Sequence, residues 1–171
     1  DGDNQYVELE TINLSMGDQL TFTSDVWIDS FENDNYNIII RQDEVDWLLQ
    51  INHHGTQIQL QIRTEIDGQE VWDGGVMVQV DPNQFVNVWN NISGTYNGSM
   101  VRLYLNGENI GEVVGAVTTT CPMWISWNND LGGQVSNVRI YESNIYNGAD
   151  FQPNFTLETY GTEFAHYPLT A

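Results

Sequence analysis

Apolar and polar residues alternate with a period of two along most of the chain. The cleanest case is residues 57–63, where Ile58, Leu60 and Ile62 point one way and Gln57, Gln59, Gln61 and Arg63 the other. That spacing predicts a strand with one buried face. Leu20, Phe22, Val26 and Ile28 form another row, with Trp27 opposite them. Three shorter rows follow: Trp47, Leu49 and Ile51; Val76, Val78 and Val80; Met123, Ile125 and Trp127, with Trp124 opposite. Ile38, Ile39 and Ile40 break the alternation, as expected of a strand buried on both faces. Residues 85–113 carry the densest pattern, with Val101, Leu103 and Leu105 alternating against Arg102 and Tyr104 between two Asn-Gly pairs, 97–98 and 106–107. Both pairs predict type I′ hairpin turns, which need positive φ at two central residues. Asp67-Gly68 predicts a further hairpin, and residues 135–141 and 164–169 read as the last two strands.

No segment longer than about 10 residues has helical periodicity. About ten to thirteen short strands, with turn signals every 8–12 residues, mean an all-β sandwich or barrel. The 171 residues suffice for one domain with a full core. No apolar run approaches the roughly 18–20 residues needed to span a bilayer, so membrane insertion is not expected. No signal peptide is visible, so the sequence reads as mature or as an excised domain.

Charge narrows the partners. There are 24 acidic residues against 4 Arg and no Lys, for a net charge of -20. Nucleic acid and anionic membranes are disfavoured, because phosphate contacts need cations. The balance suits cation binding and an extracellular or high-salt surface, where charge is screened within about 8–10 Å. Cys121 is the only cysteine, so neither an internal disulfide nor a cysteine-based zinc site is expected. Four N-x-S/T sequons, at Asn13, Asn91, Asn97 and Asn154, fit a surface protein, although an Asn-rich chain produces them by chance.

Several stretches together resemble the laminin-G-like, concanavalin-A-like family of jelly-roll domains. DGDNQYVEL at 1–9 is similar to that family's "fDGdnyvel". Residues 20–28 are similar to "ftisaWv", with Trp27 as the Trp, and residues 39–51 to "lvsk…wxLxi". VWNNISGTYNGSMVRLYLNG at 88–107 resembles "WhhvAgtydgsxvrlYvNG", and GGQVSNVRIYESNI at 132–145 resembles "fnGkidevriynraL". The resemblance covers residues 1–146 and implies a single antiparallel two-sheet jelly-roll sandwich, followed by a linker at 147–162 and an extra strand at 163–171. EFAHYPLTA at 163–171 is similar to "lvahwpLdg", a strand that in the family precedes the opening one. Three arrangements account for its place here. The domain is circularly permuted and the last strand fills its own first slot, or the strand begins a further repeat, or it completes a neighbouring copy by strand addition.

The resemblance also frames the candidate chemistry. It implies a calcium ion at the sandwich rim, near Asp1-Gly2-Asp3-Asn4 and Asn128-Asn129-Asp130, with Asp3, Asn128 and Asp130 as ligands. Calcium takes oxygen donors of this kind, although Asp and Asn serve turns equally well. Related glucanases carry three acids at E-x-D-x-x-E or E-x-D-x-E. Glu44 and Asp46 fit two of those positions, but the third falls on Leu48 or Leu49, so the proton donor is missing and no hydrolase is expected. His53-His54 sits at a turn, and adjacent strand residues point to opposite faces, so the pair reads as exposed filler and not as a metal site. The expected function is a secreted or cell-surface lectin-like module for a glycan or surface glycoconjugate. Its candidate contacts are Trp72 and Asp73 beside a Gly-rich turn, Asn129 at the rim, and Gln59 and Gln61 on the outward row. The alternative is a structural or adhesin subunit whose C-terminal strand joins copies of itself. Trp27, Trp47 and Trp89 match core positions by pattern.

Overall fold

A period of two leaves each strand one apolar face, and two sheets bury those faces against each other. The computed structural model describes residues 7–8, 19–31, 37–42, 47–51, 57–62, 64–66, 69–71, 75–114, 123–125, 133–141, 144–153 and 163–167. One sheet holds β1 (Val7–Glu8), β12 (Met123–Ile125), β3 (Asn37–Gln42), β4 (Trp47–Ile51), β5 (Gln57–Ile62) and β8 (Gly75–Gln79), in that spatial order. The other holds β11 (Glu108–Val114), β10 (Met100–Leu105), β9 (Trp89–Tyr96), β2 (Leu20–Ile28), β13 (Gly133–Tyr141) and β14 (Glu163–Tyr167). β6 (Thr64–Ile66) and β7 (Gln69–Val71) form the hairpin expected around Asp67-Gly68. The strands of both sheets pair antiparallel, so the all-β sandwich expectation holds. β14 pairs with β13 of its own chain, Val138 opposite Tyr167 and Arg139 opposite His166.

Phe22, Val26, Ile28, Ile92, Tyr96, Val101, Leu103, Val138 and Ile140 supply the second sheet's share of the core, and Ile51 and Val76 face them from the first. Residues of opposite parity line the second sheet's outer face: Thr21, Thr23, Asp25 and Trp27 on β2, then Trp89, Asn91, Ser93 and Thr95 on β9. The register sets Trp27 against Trp89, Asp25 against Asn91, Thr23 against Ser93 and Thr21 against Thr95. This corrects the core reading of two tryptophans. Trp27 is half-buried, and Trp89 is 39% exposed because it continues the polar row of β9.

The two Asn-Gly pairs differ. Asn106 and Gly107 have φ of 51° and 85°, as a type I′ turn requires. At the other pair only Gly98 is left-handed, with φ 93°. Asn97 instead accepts the Ser99 and Met100 backbone N–H groups on its own Oδ1, at 3.1 and 2.8 Å. This is an Asx turn, which works from negative φ. In the isoleucine run, pairing of β3 with β4 skips Ile39, at a register shift between Ile38 and Ile40.

A second irregularity shapes the outer face. Between Ser136 opposite Asp25 and Arg139 opposite Thr23, two residues of β13 face one of β2. Asn137 is the extra residue, with φ 49°, a value Asn tolerates better than most residues. The bulge keeps Val135, Val138 and Ile140 on the core side and presents Asn137 to Asp25.

Candidate functional site

The outer face of β2, β9 and β13 would ordinarily be solvated, yet its polar residues are buried. Thr21, Thr23, Asp25, Asn91, Ser93, Thr95 and Arg139 are all nearly inaccessible. Residues 144–153 cover them. The Ile145 N–H donates to Thr21 Oγ1 at 3.1 Å, the Asn144 N–H to Gln19 Oε1 at 3.2 Å, and the Phe151 N–H to the Gly107 carbonyl at 2.8 Å. Tyr146 and Phe151 stack with ring centroids 3.6 Å apart, and both meet the Tyr104 ring edge-on, at 5.4 and 5.5 Å. Burial under this roof pushes the Tyr104 phenol above its ordinary pKa, with Thr95 partly offsetting it.

Between roof and sheet lies a cavity of about 220 Å³. Its floor is Thr23, Asp25, Asn91, Asn137, Arg139 and Tyr141, and its roof includes Tyr146, Phe151, Gln152 and Pro153. A second hollow of about 350 Å³ adjoins it, lined by Asp25, Trp89, Ser136 and Asn137. Trp27 and Trp89 stand at that wider end with centroids 5.9 Å apart, and the Trp27 indole N–H donates to Asp29 Oδ1 at 3.0 Å.

Asp25 is the centre of the floor. Its Oδ1 accepts from Asn91 Nδ2 at 2.9 Å and its Oδ2 from Asn137 Nδ2 at 2.6 Å. Asn91 Nδ2 also donates to Thr23 Oγ1 at 3.0 Å, and Ser93 Oγ donates to Asn91 Oδ1 at 2.8 Å. Burial raises the Asp25 pKa above 3.8; the two amides and the Arg139 charge pull the other way without cancelling it. The turn holds Asn91 as well: its N–H donates to Asn106 Oδ1 at 2.9 Å, and the Asn106 N–H donates to the Asn91 carbonyl at 2.8 Å. Asn91 therefore cannot serve as a glycosylation acceptor in the folded chain, whatever its sequon. An acid, amides and hydroxyls under an aromatic rim can hold a polyol; the three-carboxylate set of a retaining hydrolase is not among the described residues here.

The roofed polar cleft, with its aromatic mouth, lies on the outer face of one sheet of the sandwich. The chain belongs to the concanavalin A-like lectin/glucanase superfamily, through its laminin-G-like family, whose pattern matches residues 1–149. No curated protein sequence matches it. Among solved structures, it is similar to a Bacteroides ovatus ATCC 8483 protein provisionally described as carbohydrate-binding. The identity there is 15%, the TM-score 0.64, and coverage is 95% of this chain and 48% of that one. It is also similar to the receptor-binding domain of botulinum neurotoxin D, at 15% identity, TM-score 0.60, 81% of this chain and 37% of that one. A third is the binding domain of botulinum neurotoxin DC in complex with SialylT, at 13% identity, TM-score 0.55, 75% of this chain and 33% of that one. The chain thus spans between a third and a half of these proteins' lengths, and at such identities the likeness speaks for the fold alone.

Of the residues singled out from the sequence, Asp3, Trp72, Asp73, Asn128, Asn129 and Asp130 lie outside the described residues. So do residues 43–46 and the His53-His54 pair. Gln59 and Gln61 lie on β5, opposite Met77 and Gly75 of β8, in the other sheet from the cleft. The structure does not bring them to Asp25. The sequence does not single out the cleft residues, because Thr21, Thr23 and Asp25 have the spacing of an ordinary outward-facing polar row. One signal was present: the apolar spacing Val135, Val138, Ile140 changes phase at Asn137.

Proposed function

We propose that the chain is a carbohydrate-binding module whose sugar lies in the outer-face cleft. The supporting observation is the Asp25 carboxylate, flanked by Asn91 and Asn137, at the foot of an opening edged by Trp89. Sugars present hydroxyls to acids and amides and C–H faces to indole rings, and Trp89 is exposed enough to stack. On a glycan array the chain is expected to retain at least one glycan, and Trp89→Ala to weaken it about tenfold while leaving the melting temperature unchanged. Retention of no glycan, or an unaltered affinity in the variant, counts against this site. An EDTA arm of the same array tests calcium at the acidic loops; unchanged binding removes calcium from the reading. Secretion is proposed with the carbohydrate function and rests on the acidic composition.

Assembly through the C-terminal strand is the other reading of this chain. The pairing of β14 with β13 of its own chain supports the permuted arrangement instead. A monomer by size-exclusion chromatography is the expected result. A dimer that dissociates when residues 163–171 are removed would restore the assembly reading.

A further inference from the structure

We infer that the cleft is blind-ended, and that it takes one terminal unit of a neutral glycan and excludes chain interiors. This rests on the carbohydrate reading above and adds to it which part of a glycan is held.

Both floor strands pass from an exposed end to a buried one. Asp29, just beyond β2, is exposed and Trp27 half-buried, whereas Asp25, Thr23 and Thr21 are all buried, at 2%, 5% and 0%. β9 passes likewise from exposed Trp89 to buried Asn91, Ser93 and Thr95. The register sets the two rows side by side, so they describe one groove. Its deep end is shut where the Ile145 N–H binds Thr21 Oγ1. Its β10 side is shut by the stack of Tyr146 and Phe151 on Tyr104, and by the Phe151 N–H bond to Gly107. Among the described residues, the groove opens at Trp27 and Trp89. A polymer crossing an open sheet face could bind anywhere along its length. A ligand entering here must present an end.

The inner cavity, about 220 Å³, lies below the roughly 300–1,000 Å³ of pockets for drug-sized ligands, which suits a single ring. Asp25 accepts one amide hydrogen bond on each oxygen. A carboxylate has about four acceptor positions, so two remain for neighbouring ligand hydroxyls. Arg139 offsets part of the Asp25 charge on the floor, and a chain of net charge -20 repels anionic sugars, so a neutral glycan is favoured over an anionic one. The next unit of the glycan rests in the outer hollow against Trp89.

The test uses the intact chain and any neutral oligosaccharide it retains on the array. Affinity is measured by calorimetry for the free oligosaccharide and for the same molecule alkylated at its reducing or at its non-reducing terminal unit. One cap is expected to weaken binding about a hundredfold, and the other less than about threefold. Equal affinity for both capped forms would overturn end recognition while leaving the carbohydrate reading intact; no binding to any glycan overturns both. The double substitution Tyr146→Ala and Phe151→Ala, which loosens the roof, is expected to restore binding of the rejected form to within about tenfold of the free one. A folded double variant that still rejects it would overturn the role given to the roof. If that variant does not fold, the capped pair measured on the natural chain decides the matter.

Discussion

Gly107→Ala is expected to cost about 4 kcal/mol of stability and to lift the roof from the cleft. Two effects coincide at this residue. Its φ of 85° is left-handed, where a Cβ costs about 1–2 kcal/mol. The added Cβ would also lie 1.8 Å from the Phe151 carbonyl oxygen and 2.8 Å from its carbon. Those atoms are backbone, so residues 144–153 must move. Moving them breaks the Phe151 N–H bond to Gly107, worth about 1 kcal/mol, and disturbs the Tyr104–Tyr146–Phe151 packing, worth about 0.5–1.5 kcal/mol per ring pair. Gly98→Ala is the control. Gly98 has a similar φ of 93° but is exposed, so only the backbone cost of about 1–2 kcal/mol is expected. Urea unfolding of both variants, with hydrogen exchange at the Phe151 amide, separates strain from collision. If the two alanines cost the same and Phe151 stays protected, the roof is not seated on Gly107.

The sandwich was legible because strand periodicity is a local property. Ile58, Leu60 and Ile62, or Val101 and Leu103, announce their strands without help from distant residues. The Asn106-Gly107 turn was legible for the same reason, since both residues supply the positive φ it needs. Asn97-Gly98 was only half legible. The dipeptide marks a hairpin, but the Asn side chain can satisfy the turn by accepting Ser99 and Met100 N–H groups, and composition does not choose between the two solutions. The cleft was hidden for a different reason. Thr21, Thr23 and Asp25 have the spacing of a solvated face, and what buries them is a segment some 120 positions later in the chain, at residues 144–153. That segment has no periodicity to mark it as a packing element. Its anchors are single hydrogen bonds and one aromatic stack, which depend on tertiary placement. Trp89 matches a core position by pattern, whereas its parity with Asn91, Ser93 and Thr95 sets it on the polar row.

At Asp25 the expected result is a loss of stability that grows on acidification. Asp25→Ala removes the acceptor from Asn91 Nδ2 and from Asn137 Nδ2, and hydrogen bonds to a charged group are worth about 1.5–3 kcal/mol each. The cost of burying the charge offsets part of this, leaving about 3 kcal/mol at neutral pH. The pH dependence follows from burial, which raises the Asp25 pKa above its ordinary 3.8 against the pull of Asn91, Asn137 and Arg139. Between 3.8 and the raised value, the folded chain holds a proton that the unfolded chain has released. Stability contributed by this group therefore falls as pH rises through that window and is fully present below 3.8. Alanine has no proton to hold. The gap between the natural chain and Asp25→Ala is thus smallest at neutral pH, widens as pH falls through the folded pKa, and levels off below 3.8. The other acids titrate in both proteins and cancel in the difference. Urea midpoints for the pair at a series of pH values measure it. A gap that narrows on acidification would mean that the amides and Arg139 outweigh burial, and that Asp25 is a stabilised anion instead of an acid held at a cost. The same series on the bound module reads the cleft directly: protonating Asp25 turns one ligand-facing acceptor into a donor, so glycan affinity is expected to drop over the pH range in which stability rises.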